Sequence, residues 1–458
     1  VQVLLLSLAV ASVSSSSPTL ARTAPGLAPT IPGAAARAAA TAVDLSDGLS
    51  PEEAVTLALA ADPQQRLRLW QTVGQQAQGR ARARSAWSDP ELRLQQWKIW
   101  EAGSGETKRA ASLVDDLDVA LRWRPPVPGL GSALADAGEQ RFRQAGWSAR
   151  RERQQIAFEV LELYLGLLGV QARQVLAMEE VELRRRMAEM VRRQIAAGSA
   201  TGLAQSLTEL DAWDSLAAQR QLAADHDRRW RELAAATGLA PGSRLILDPE
   251  LLTSPCTAPA GLDEAELVRS ALDGRPDLAA LRHALAAAEA ELLAAQRSHL
   301  FWPSFVQLSY GFGDADKPDS LLLGLAFALP LLGDRAGELL ERSAERDRWK
   351  ALLEAREQEV AAEIGKILVL LAGKREELLT FEEARPAMES ALELVVQAIT
   401  AGHSDLLPLA TVKEREMRIR RGRIAAQVDC CLAWLQLQLA LGKIPVGEQG
   451  EGRPEPDR

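Results

Sequence analysis

The chain has 458 residues, 25% charged and 47% apolar, a composition that excludes wholesale disorder and can supply a large core or several modules. A net charge of −9 argues against a nucleic-acid binder, since neutralising phosphates takes a basic face and the Lys/Arg-rich stretches read as interleaved with acids. Three cysteines, Cys256, Cys430 and Cys431, make neither a disulfide framework nor a metal-binding pattern, and His226, His283, His299 and His403 are scattered, so no metal site and no cofactor is expected.

In chain order, VQVLLLSLAVASVSSSSPTLA resembles a secretory signal (residues 1–21): an apolar run from Val3 to Val13, then small residues and a cleavage position after Ala21. It lacks a basic leading segment, and no cysteine follows the apolar run as an acylation site. Residues 22–50, rich in Ala and Pro, read as a flexible tether.

From there the chain reads as two copies of one plan, 51–239 and 263–442, joined by a linker over 240–262 and followed by a disordered tail over 443–458. EAVTLALAADP ending at Pro63 recurs as ELVRSALDGRP ending at Pro276, and Pro90 recurs at Pro303, both 213 positions later. Beyond an indel between Pro90 and Gly129 the offset becomes 204, pairing Gly129 with Gly333, Gly198 with Gly402, Trp230 with Trp434 and Gly238 with Gly442.

Each copy reads as a leading helix (51–88; 263–301), two strands, a very long helix, a tight turn and a returning helix (203–237; 406–441). Gly131 to Ala197 carries heptad-like apolar spacing without a proline, which predicts a rod of about 100 Å. Its counterpart, Asp334 to Thr400, contains Pro386 and is expected to kink there. The rods end at tip turns 198–202 and 402–405. Gly198 and Gly402 suit positive φ, Gly202 closes the first tip turn, and Thr201 and Asp405 suit N-caps of the returning helices. The short leading and returning helices can then stack end to end beside each long one.

The strand pairs are expected at 90–100 with 113–124 and at 303–312 with 320–329. Alternation puts Leu117, Val119, Leu121 and Trp123 on one face, and Asp116, Asp118, Arg122 and Arg124 on the other. In the second pair Val306, Leu308, Tyr310, Leu323, Leu325 and Phe327 are apolar, while Gln307 and Ser309 oppose them and Leu322 breaks the pattern. Trp97 and Trp100 suit either a membrane interface or a protein core. One oily face, one water-facing face and lengths near 9–11 residues match strands that cross a bilayer. Lipid tolerates strands only in closed barrels of about eight or more, and four per chain is too few, so copies must pool them; a trimer would supply about twelve.

SPEEAVTLALAADP, DGRPDLAALRHALAAAEAEL, the strand-entering prolines Pro90 and Pro303, FALPLLGDRAGELLERS, the tip glycines and the closing AAATGL and LALGK, in that order, resemble the TolC family of outer membrane efflux proteins. WSDPEL and LPLLGDRAG look most similar to its heavy-metal resistance branch. The resemblance implies a mainly α fold with a small membrane β part: a long coiled-coil-like α-helical barrel and four strands per chain, completing a 12-stranded trimeric β-barrel.

It also implies a homotrimer in the outer membrane of a Gram-negative bacterium, in contact with its lipid and with a large periplasmic part. Such a protein is a passive exit duct for small molecules or metal ions. It is served by a periplasmic adaptor protein and an inner-membrane pump such as an RND transporter, and it carries no enzymatic chemistry. The family's gate would lie at the tip, around Gly198, Thr201, Gly202, Gly402 and Asp405. Ala204 and Pro408 stand where relatives often carry Asp, which leaves Asp405 either as a ring of charges or simply as a helix cap. The competing readings are a periplasmic adaptor and a coiled-coil structural protein without a pore.

Overall fold

A computed structural model describes residues 48–62, 65–85, 87–96, 117–198, 201–239, 247, 261–312, 318–328, 335–400 and 406–443. In chain order the elements are α1 (Pro51–Ala61), α2 (Arg66–Ser85), β1 (Glu91–Gln96), β2 (Leu117–Trp123), α3 (Leu130–Ala196) and α4 (Gly202–Thr237). There follow α5 (Glu264–Gly274), α6 (Pro276–Ser298), β3 (Pro303–Gly311), β4 (Ser320–Phe327), α7 (Arg335–Thr400) and α8 (Leu406–Ala440).

Each leading segment, expected from sequence as one helix, is two. Ser50 opens α1 with a capping box closed by Glu53, and the helix stops at Asp62, whose φ of 35° is left-handed. The Asp62 carboxylate then accepts the N–H groups of Arg66 and Leu67 and starts α2. In the second half Arg275 sits between α5 and α6 with ψ of 124°, the conformation that a following proline imposes, and Pro276 takes the first helical position. The expected kink at Pro386 does not end its helix, because α7 runs on past it to Thr400.

At about 1.5 Å per residue, the 67 residues of α3 span on the order of 100 Å. α2 runs along the first part of α3, where Gly138 faces Ala81 and Gly74 faces Phe142. α4 runs back along its last part, tied by Arg192 to Glu209 at 2.9 Å and Arg184 to Asp211 at 3.2 Å. α6 and α8 occupy corresponding stretches of α7, and both also pack on α3. The helices therefore form a layer whose outer columns are α2 with α4 on one side and α7 on the other.

Two apolar cores hold the layer together. One gathers Ile156, Val160, Tyr164, Leu167 and Leu233 around α1, with the Tyr164 hydroxyl donating to the Leu49 carbonyl at 2.6 Å. Leu49 is bridged in turn to the buried Leu247. The other gathers Val360, Ile364, Leu371 and Leu437 around α5. Positions 156, 160, 167 and 233 become 360, 364, 371 and 437 on adding 204, so one spacing of core residues serves both. Each such buried side chain contributes about 1.5–3 kcal/mol.

α3 also contains an 18-residue window apolar enough to cross a membrane by length and composition. More than half of it, 56%, is buried inside the protein, so core packing accounts for its apolarity.

Candidate functional site

The four strands form one antiparallel sheet in the order β1-β2-β3-β4. Its register turns the alternation of each strand into continuous rows. Leu92 pairs with Leu121, Leu121 with Leu308, and Leu308 with Leu323. A second row is Leu94, Val119, Tyr310 and Leu321, and a third is Trp123, Val306 and Leu325. Leu92, Leu121, Leu308, Tyr310, Leu323, Leu325 and Phe327 are exposed, Leu323 at 67%. Val119, Trp123 and Val306 are half-buried. An exposed apolar face this continuous is costly in water and marks a binding or membrane surface.

The opposite face reads Glu91, Arg122 and Gln307 in one row, and Gln95, Asp118 and Gly311 in another. Gln307 donates to Ser309 at 2.9 Å, Arg124 reaches Glu91 at 3.3 Å, and the Arg122 guanidinium lies 3.4 Å from the centroid of the Phe305 ring. Leu322, the exception in the alternation, stands on this polar side opposite Ser309. Asp116, Trp97 and Trp100 lie outside the described residues.

The described strands have 6, 7, 9 and 8 residues, so β1, β2 and β4 are shorter over these residues than the expected 9–11. Aromatic rings mark both ends of the sheet. At the helix end Trp87 meets Trp123 at 5.9 Å and Phe301 stacks on Phe327 at 5.0 Å, while Trp302 donates to the Pro125 carbonyl. At the loop end Tyr310 meets Phe312 edge-on at 4.9 Å. Between Phe301 and Phe312 a tilted strand rises about 25–30 Å, near the height of a membrane barrel's apolar band. Of these rings, Trp87, Phe301 and Trp302 are the ones that strand alternation does not assign. The prolines after Trp302 and near Trp87 were the signal that they flank strands.

At the far end of the rods, Gly198 closes α3 with φ of 75° and its N–H on the Ile195 carbonyl at 2.9 Å. Thr201 caps α4, its hydroxyl accepting the Ala204 N–H at 3.4 Å. Gly202, assigned from sequence to the turn, is the first residue of α4. Gly402 and Asp405 lie outside the described residues. Sequence reasoning missed a stripe on α4 behind this tip: Leu203, Leu207, Leu210 and Trp213 are all exposed, Trp213 at 67%. Their three- and four-residue spacing carried that signal.

Among the described residues no cluster of His, Cys, Asp or Glu could hold a metal ion. No protein-family model and no curated protein matches the chain. Solved structures do. The outer membrane protein VceC of Vibrio cholerae is 19% identical with a TM-score of 0.65, over 86% of this chain and 96% of its own. CusC, described in terms of transmembrane channel formation, is 17% identical with a TM-score of 0.66, over 87% and 93%. The open state of the MtrE outer membrane channel of Neisseria gonorrhoeae is 15% identical with a TM-score of 0.63, over 86% and 89%. This chain has the fold of the TolC-family outer membrane efflux channels.

Proposed function

We propose that the protein is the outer membrane channel of a tripartite efflux system, a passive duct from periplasm to exterior. One observation carries this reading: a sheet with a continuous, mostly exposed apolar face, a polar face behind it and, among the described residues, two open edges, β1 and β4. An open edge in lipid leaves backbone groups unpaired at several kcal/mol each, so the edges must meet other edges. β1 and β4 run in opposite directions, so β4 of one copy can pair antiparallel with β1 of the next. Three copies give about twelve strands, an even number as such barrels require.

The helical layer supports the same closure. Its outer columns, α2 with α4 and α7, carry exposed apolar residues that the chain itself leaves uncovered: Leu69, Leu207 and Trp213 on one side, Leu340, Val369 and Leu394 on the other. A head-to-tail ring buries both at once. Asp118, Arg122, Arg124, Gln307 and Ser309 then face the lumen, and Asp116 shares their alternation in the sequence. The ring of tips around Gly198, Thr201, Gly202, Gly402 and Asp405 forms the periplasmic entrance, the gate, and the docking end for an adaptor and an inner-membrane pump. The cargo is small molecules or metal ions, and the phrases WSDPEL and LPLLGDRAG look most similar to the heavy-metal resistance branch.

The test is single-channel recording of the purified protein in a planar bilayer. Discrete conductance steps that scale with bulk electrolyte are expected. A protein that enters the bilayer and passes no current overturns the duct.

A further inference from the structure

Along the molecule, the residue types below the sheet change in an ordered way. The exposed leucines of the strands give way to the rings of Trp87, Trp123, Phe301, Trp302 and Phe327 at the strand–helix junctions. Next come Arg82 and Arg84 in the last turn of α2, Arg80 just before it, and Arg297 in the last turn of α6. The run from Arg80 to Arg84 contains no acid, which corrects the expectation that every basic stretch is interleaved with acids.

All four arginines are exposed. Many arginines elsewhere meet carboxylates, as Arg66, Arg141, Arg192, Arg356 and Arg420 do, while others such as Arg185, Arg231 and Arg375 do not, so it is position beside the aromatic rings that distinguishes these four. Among the described residues Arg80, Arg82, Arg84 and Arg297 have no such partner. Glu91, the carboxylate at the start of β1, is already taken by Arg93 and Arg124. Attraction to a helix C-terminus favours cations in this place but leaves their guanidinium donors unfilled.

Hydrocarbon, then aromatic interface, then phosphate is the order of layers on leaving a bilayer's centre. A guanidinium is the side chain best matched to a phosphodiester, which accepts two parallel hydrogen bonds from it. We propose that Arg80, Arg82, Arg84 and Arg297 bind the phosphate groups of the phospholipid leaflet on the helical side of the membrane and, with the aromatic rings above them, fix the height of the sheet. The inference rests on the reading of β1–β4 as membrane-spanning and adds a lipid-headgroup site to it.

The full-length protein is reconstituted into phosphatidylcholine vesicles with a trace of spin-labelled phosphatidylglycerol or spin-labelled phosphatidylcholine, and the immobilised boundary fraction of each is measured. A basic side chain at the surface is worth up to about fivefold, so selection of phosphatidylglycerol by about threefold or more is expected at low salt. Selection should fall to near unity in the combined Arg80→Gln, Arg82→Gln, Arg84→Gln and Arg297→Gln variant, and persist when the same four positions are Lys. Equal selection by the wild type and the Gln variant overturns the proposal and leaves the channel reading standing. A wild type that does not incorporate into vesicles removes the membrane reading itself. Arg80 and Arg84 also border a groove of about 430 Å³ between α2 and α3, with Glu291 of α6 at its margin. If the Gln variant loses its oligomeric state in detergent, the arginines pair with a neighbouring copy, and the lipid proposal is overturned.

Discussion

Arg275 is 1% exposed and sits at the break between α5 and α6, where it makes four hydrogen bonds. Two go to Asp277, one to Glu363 at 2.9 Å and one to the Ala440 carbonyl at 3.0 Å, so one guanidinium ties α6, α7 and α8 together. Arg356 still reaches Asp277 at 3.1 Å and Glu363 at 3.6 Å, so losing Arg275 removes its own bonds without leaving either carboxylate unpaired. Arg275→Met should therefore destabilise the helical part by about 2–3 kcal/mol, read as a lower denaturant midpoint for loss of helix signal. Burial acts to raise the Asp277 carboxyl, but hydrogen bonding and charge from Arg275, with Arg151 and Arg356, outweigh it and hold its pKa at about 2 instead of 3.8. A carboxylate depressed on folding stabilises above its unfolded pKa and loses that contribution as pH falls through its folded pKa. About 1–2 kcal/mol, discounted for partial exposure, should disappear between pH 4 and pH 2. Melting curves across that window should shift less in Asp277→Asn than in the wild type. Gly442, with φ of 73°, lies where an added Cβ would come within 2.7 Å of the Gly274 carbonyl oxygen. Gly442→Ala should cost more than about 1 kcal/mol by the same melting assay.

At the scale of elements, the sheet is where amphipathic pattern becomes function. A charge on the lipid side of a barrel costs about 2–4 kcal/mol at mid-depth, whereas the lumen side tolerates it. Leu308→Arg should lower the yield of membrane-inserted protein severalfold, while Ser309→Arg, one residue along, should insert normally and alter conductance. Equal insertion of both variants would contradict the assignment of faces. At the tips, Thr201→Cys with Asp405→Cys, once oxidised, should block export and recover on reduction. Free conduction by the locked protein would place the gate elsewhere.

The strand faces and the long rods are legible from sequence because both depend on local periodicity, which carries no information about contacts between distant segments. Val119, Leu121 and Trp123 alternate visibly, and the proline-free run before Ala197 has no stop signal. The breaks at Asp62 and Arg275 are also announced, by Pro63 and Pro276, yet in the bare sequence those prolines mark the repeat as readily as they mark helix ends. The Arg275 network is not legible, since Glu363 and Ala440 reach it from 88 and 165 positions away. The cross-strand rows need the register, which no single strand contains.

For the whole molecule, both layers of the fold end in unsatisfied edges on the same two sides. The sheet leaves β1 and β4 open, and the helices leave α2 with α4 and α7 as outer columns. In the proposed homotrimer one head-to-tail rotation would complete both. The most direct measurement is native mass spectrometry of the protein released from detergent micelles. Three copies of the chain in one particle are predicted; a monomer that stays soluble and folded without detergent would contradict the account.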